Sequence, residues 1–218
     1  MNFKILCSDI LILSNPERAE QMKTLMNNQY EFLGVRGSDR RKVLRDHVLQ
    51  DTQQNDKPVL DHKFISALLE QRYREFQYIA IEYLYMMKDF LRTSDLNTIT
   101  EIATFKPDRD TIDALVKLMG DLAQQMPEAL QLLVNWSRSD NPWLIRLAIT
   151  HQNHLFAQTD NYVLAAMIDH NQNNSNPIVQ NAIYSALRQY AKTNASWVKS
   201  LILGNPRLYK LMKAISEE

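Results

Sequence analysis

Arg109 and Asp113 stand four residues apart in a stretch of helical pattern, so their guanidinium and carboxylate can meet on one helix face. A helical aspartate is ordinarily a solvated or ion-paired surface residue. If Asp113 pairs with Arg109, its charge is neutralised and cannot act on a substrate. His151 and His154 are three apart, a spacing that could hold a metal ion. No further ligands stand at a defined spacing from them, so they read as ordinary surface or groove residues. There is no phosphate-binding glycine loop, no metalloprotease helix motif and no nucleophile elbow. The single cysteine, Cys7, excludes an internal disulfide and a cysteine-rich zinc site, and reads as a small buried hydrophobe. The expectation is a chain with no metal and no cofactor.

Charge is distributed unevenly. The chain has 25 Lys plus Arg and 25 Asp plus Glu, a net charge of zero, which excludes a strongly basic arm and a strongly acidic tail. From His170 to Ser216, however, the basic residues Arg188, Lys192, Lys199, Arg207, Lys210 and Lys213 meet no acidic one. Glu217 and Glu218 then follow. Arg36, Arg40, Arg41, Lys42 and Arg45 form a second basic run against Asp39. Such runs read either as solvated helix faces or as surfaces that track phosphates. Asp108, Asp110 and Asp113 are an acidic counterpoint.

These residues need elements to position them. Apolar residues recur at helical spacing almost everywhere, as at Ile65, Leu68 and Leu69, or Ile112, Leu115, Val116 and Met119. About a dozen helices joined by short loops are expected, with no strand. Only four glycines are present, too few for the turns of a sheet-rich fold. Asn-Pro at positions 15–16, 141–142, 176–177 and 205–206 marks helix starts, since Asn caps well and Pro suits the first turn. Pro107, Pro142 and Pro177 keep a constant interval of 35 residues (142 − 107 and 177 − 142). That period predicts stacked helix pairs, an α-solenoid whose equivalent helices share a concave face. The tetratricopeptide pattern of Trp, Gly and Tyr is absent, which favours a HEAT-like array. The fold expected is all-α, about six HEAT-like helix pairs in one domain over residues 1–218, curved around a groove. Met86, Met87, Tyr78, Tyr83 and Tyr85 read as core between helices.

Several stretches, in order, resemble the AlkD-like family, the HEAT-like-repeat alkylpurine DNA glycosylases of bacteria. They are Phe32-Leu33-Gly34-Val35 with Arg40-Arg41, Arg74-Glu75-Phe76-Gln77, and Asp110-Thr111-Ile112-Asp113. Trp136-Ser137 leads on to Asn141-Pro142-Trp143-Leu144-Ile145-Arg146, and Ala182-Ile183 to Leu187-Arg188-Gln189-Tyr190-Ala191-Lys192-Thr193-Asn194. The resemblance implies excision of cationic alkylpurines. An aspartate stabilises the oxocarbenium ion and positions water, two tryptophans pack around the charged nucleotide, and an arginine holds the backbone. On that pattern Asp113 matches the aspartate and Arg146 the arginine. Arg109 and Ser185 occupy the two tryptophan positions. Arg109 would set a cation beside a cationic substrate. Arg146, flanked by Ile145 and Leu147, also reads as a structural arginine bridging repeats. Trp136 and Trp143 read as packing between repeats, not as replacements.

The functional expectation is a divergent relative with excision lost or strongly reduced and a residual role in binding nucleic acid or protein. The alternatives are an active glycosylase using Asp113 and a protein-binding scaffold. The nucleic-acid ligands expected are Arg146, Arg188, Lys192, Arg40 and Arg41. The expected partners are double-stranded DNA, bound weakly, or a protein. No apolar segment is long enough to span a bilayer, and Asp9 interrupts the apolar stretch at the start. A monomer of the cytoplasm is expected.

Overall fold

The computed structural model describes residues 1–53 and 58–216 of the chain, so Glu217 and Glu218 lie outside the described residues. Thirteen α-helices and three short 3-10 turns account for the regular structure among the described residues. No strand forms there, only one isolated bridge between Glu31 and Tyr73. The chain is therefore all-α. It divides into two compact units, Met1–Phe105 and Lys106–Glu218.

The first unit holds α1 (Phe3–Ile12), α2 (Pro16–Leu25), α3 (Gly37–Gln53), α4 (His62–Leu69), α5 (Arg74–Met86) and α6 (Leu96–Thr104). Its joint is the Phe32–Val35 turn. Glu75 is fully buried, and its carboxylate accepts from the N–H groups of Leu33, Gly34 and Val35 at 2.9–3.2 Å. A buried carboxylate needs such donors to offset its lost hydration. Gly34 has φ +77°, and a Cβ there would stand 2.2 Å from the Asn15 carbonyl oxygen, so only glycine fits. Arg18 closes the turn by donating to the Gly34 carbonyl at 2.6 Å. Arg74 lies 3.9 Å over the Tyr30 ring and donates to Gln77, which in turn donates to the Phe105 carbonyl at 2.6 Å. Two of the family-like stretches are thus one interlocked structural feature. Tyr83 and Met87 are buried as expected, whereas Tyr78, Tyr85, Met86 and Cys7 are only half-buried.

The second unit holds α7 (Arg109–Gln125), α8 (Pro127–Trp136), α9 (Pro142–Thr150), α10 (Asn161–Asn171), α11 (Pro177–Tyr190), α12 (Ala195–Leu203) and α13 (Pro206–Ser216). The Asn-Pro pairs work as read. Asn15, Asn141, Asn176 and Asn205 each accept an N–H from the first turn of the helix they open. Pro107 departs from the pattern: α7 begins at Arg109, because Asp108 is the N-cap and exchanges hydrogen bonds with Thr111. The 35-residue period survives this offset. Helix α9 packs against both α7 and α11, so the first helices of successive pairs lie side by side in the solenoid manner.

Every residue of α9 from Leu144 to Thr150 is buried. Its large apolar side chains contribute about 1.5–3 kcal/mol each. Gly120 lets α7 approach closely, since a Cβ there would fall 2.3 Å from the His151 carbonyl oxygen. His151 corrects the surface reading. It is 2 % exposed, hydrogen-bonds the Ala148 carbonyl at 2.6 Å, and burial lowers its pKa to about 4. His154 pairs with Asp121 at 3.0 Å. Burial works to raise the Asp121 pKa, but bonds from His154 and Lys117 outweigh it and hold the carboxyl below its ordinary value. Trp136 is buried and Trp143 half-buried, as packing residues should be.

Candidate nucleic-acid interface

The candidate site belongs to the second unit and rests on α7, α9 and α11. The Asp108 cap sets the start of α7, which places Arg109 and Asp113 one turn apart on the same face. The Asn141-Pro142 start of α9 carries Arg146 to the neighbouring position. Along α11, Asn181, Tyr184, Ser185 and Arg188 recur at helical spacing, and Lys192 follows in the turn after Tyr190.

The ion pair at the centre is not simply the one expected. Arg146 is 5 % exposed and grips Asp113 with two nitrogens: Nε to Oδ1 at 3.0 Å, Nη2 to Oδ1 at 2.6 Å and Nη2 to Oδ2 at 2.9 Å. A guanidinium inside an apolar helix must be paired, and this carboxylate is its partner. Arg109 stands at the outer edge, Nε 3.6 Å from Asp113 Oδ2, with its side chain 79 % exposed. Asp113 therefore contacts two arginines, one tightly and one loosely.

A polar cleft of about 370 Å³ opens beside this pair. It is lined by Arg109, Arg146, Asn181, Tyr184, Ser185, Arg188, Gln189 and Lys192. Arg109, Arg188 and Lys192 are exposed, and Lys192 donates to Gln189 at 2.7 Å. Ser185 accepts from Asn153 at 3.4 Å. Four cations thus line the cleft, two of them in contact with Asp113, and the cleft favours an anion over a cation.

The structure brings Asp113, Arg109, Arg146, Ser185, Arg188 and Lys192 together. Arg40 and Arg41 are in the first unit. The buried Arg40 guanidinium donates to both oxygens of Glu82 at 2.7 and 3.0 Å and lies 4.9 Å from the Tyr78 ring. Arg41, with its side chain 51 % exposed, reaches the same Glu82 at 3.4 Å. Arg41 is the accessible member of that pair. The sequence reading missed Asn181, Tyr184 and Gln189. The spacing 181, 184, 185, 188 along one helix face was the signal that could have found them. It also missed the Arg146–Asp113 bond, signalled by an arginine inside the apolar run Leu144–Ile149. No cluster of three or more metal-ligating side chains occurs among the described residues. No described helix is long and apolar enough to cross a membrane.

Fold and site together define an all-α protein whose second unit stacks helix pairs and carries a cationic cleft on the α7, α9 and α11 face. The family model for the DNA alkylation repair enzymes matches residues 9–214, and the chain belongs to that family. No curated protein matches it. Among solved structures it is similar to a predicted DNA alkylation repair enzyme from Enterococcus faecalis, at 25 % identity and a TM-score of 0.78. The match covers 91 % of this chain and 94 % of that one.

Proposed function

We propose that this member of the family holds double-stranded DNA by its phosphates at the α7–α9–α11 cleft, with base excision lost or strongly reduced. The observation that carries the reading is the grip of Arg146 on Asp113. A carboxylate speeds departure of an alkylpurine by facing the positive charge that develops on the sugar. Here both oxygens of Asp113 face a guanidinium, so little negative potential is left to offer. Arg109 then occupies the approach, where a cationic base would need an aromatic or anionic neighbour. The same cations suit a phosphodiester. Arg109, Arg188 and Lys192 provide about three phosphate contacts, so the logarithm of affinity should fall with the logarithm of salt at a slope of about −3.

The test is an excision assay on methylated duplex DNA beside a binding titration. The expected result is salt-dependent binding without release of 7-methylguanine or 3-methyladenine. Robust release that disappears in Asp113→Asn would overturn the loss of activity. No binding to duplex even at low salt would overturn the DNA reading and leave a protein partner as the role to test.

A further inference from the structure

A second cleft, of about 640 Å³, lies among α11, α12 and α13. Leu187, Val198, Ile202 and Met212 form its apolar floor. Tyr184 and Tyr209 line it as aromatic walls, and Tyr209 is 54 % exposed. The volume falls within the range of sites that enclose an organic ligand.

Two observations say what fills it. First, Tyr184 and Arg188 line this groove and also the polar cleft beside Asp113. They are one helical turn apart on α11 and form the ridge between the two hollows. A polymer with its phosphate at Arg188 can therefore lay an adjoining group into the apolar side. Second, the charge around the groove has one sign. Arg188, Lys199 and Lys213 line it, and no acidic residue occurs between His170 and Ser216. The occupant must carry anions along its length and flat apolar surfaces beside them.

We infer that the groove takes an unstacked base of single-stranded DNA. This rests on the DNA-binding reading above and extends it to a different form of the polymer. Phosphates run past Arg109, Arg188 and Lys192, while a base enters the groove and stacks on Tyr209 or Tyr184. Aromatic platforms flanked by cations bind single strands with little sequence preference, because every base offers a π-face. A duplex keeps its bases stacked inside and reaches only the polar cleft. Single-strand binding thus uses both hollows and duplex binding uses one.

The test is fluorescence anisotropy with three labelled probes at one salt concentration: a twelve-residue oligothymidylate, a twelve-base-pair duplex, and an all-abasic twelve-residue strand. The oligothymidylate should bind about tenfold more tightly than the other two, since only it offers accessible bases. Tyr209→Ala should remove most of that advantage and leave duplex binding unchanged, while Tyr209→Trp should keep it. Tyr209 is exposed, so neither substitution threatens the fold. Duplex binding that equals or exceeds single-strand binding, indifferent to Tyr209, would overturn the inference and leave the DNA reading standing. No binding of any probe would overturn both. A concentration-dependent dimer that protects Tyr209 would assign the groove to a second copy of the chain and also overturn the inference.

Discussion

Placing tryptophan at both altered positions, Arg109→Trp with Ser185→Trp, should give this chain a preference for cationic lesions. The magnitude follows from the geometry. A cationic base near Asp113 comes within about 6 Å of the Arg109 guanidinium. At an effective dielectric of about 20 that costs roughly 3 kcal/mol. The side chain is 79 % exposed, however, so water screens it strongly. With bulk-water screening the cost is about 0.7 kcal/mol. Removing the cation therefore gains between about threefold and a hundredfold in affinity. Each indole face adds about 0.5–2 kcal/mol of cation–π attraction. Taking the lower end throughout, about 0.7 kcal/mol from the lost repulsion and about 1 kcal/mol from two indole faces, the substitutions should raise the preference for a duplex with a central 7-methylguanine over the unmodified duplex about twentyfold. The wild type should bind the lesion duplex about threefold less tightly than the unmodified one, and the double variant about fivefold more tightly. Competition binding with the two duplexes at equal salt reads this directly. An unchanged ratio, with duplex binding retained, would refute the charge argument. Excision is a separate readout and should remain absent, because Arg146 still holds Asp113. Excision restored by the tryptophans alone would show that the Arg146 bond does not silence the carboxylate.

Two further predictions concern stability. The side chain of Arg146 is 6 % exposed and that of Asp113 is 44 % exposed, so breaking their bond should be asymmetric. Asp113→Ala strands a buried guanidinium and should cost about 3 kcal/mol, whereas Arg146→Met leaves a carboxylate that water can reach and should cost about 1 kcal/mol or less. Urea unfolding would check this, and equal costs would count against the burial argument. His151 should make the protein acid-sensitive, because its pKa of about 4 in the folded state lies below the ordinary 6.5. The unfolded chain binds the proton first. Stability is therefore full above pH 6.5 and falls by about 3 kcal/mol as pH drops toward 4. Asp121, held low by His154 and Lys117, loses its contribution only at more acidic pH. Unfolding free energy measured from pH 7.5 to 4.5 should fall in the wild type and much less in His151→Gln. Parallel curves would refute the assignment.

Helix class, helix starts and the 35-residue period were legible because each has a local cause. Asn caps its own first turn, Pro fits the N1 position, and apolar spacing reports which face is buried. Pro107 misled by two residues because Asp108 and Thr111 form a reciprocal cap that starts the helix after it. The site was only partly legible. The 109–113 spacing was visible within one helix, but the stronger bond to Asp113 comes from Arg146 on another helix. That bond depends on which charge is buried, and burial belongs to the packing of α9 between α7 and α11. The second histidine reading failed similarly. His151 is buried because Gly120 brings α7 against its carbonyl, a contact between residues 31 positions apart (151 − 120).

The residues that resemble the family divide by what holds them in place. Gly34, Glu75, Arg74 and Gln77 are tied to backbone and to one another, so replacing any of them strands a buried polar group or forces a backbone clash. Those constraints act whether or not DNA is present. Arg109 and Ser185 have no comparable tie: one is largely solvated, and the other makes a single long hydrogen bond. Only a ligand could demand particular residues there. A chain can therefore keep the architecture of a repair enzyme while its cleft changes from receiving a cation to receiving an anion. Two exposed or half-buried side chains suffice for the change, because the Arg146–Asp113 pair contributes no net charge to oppose them.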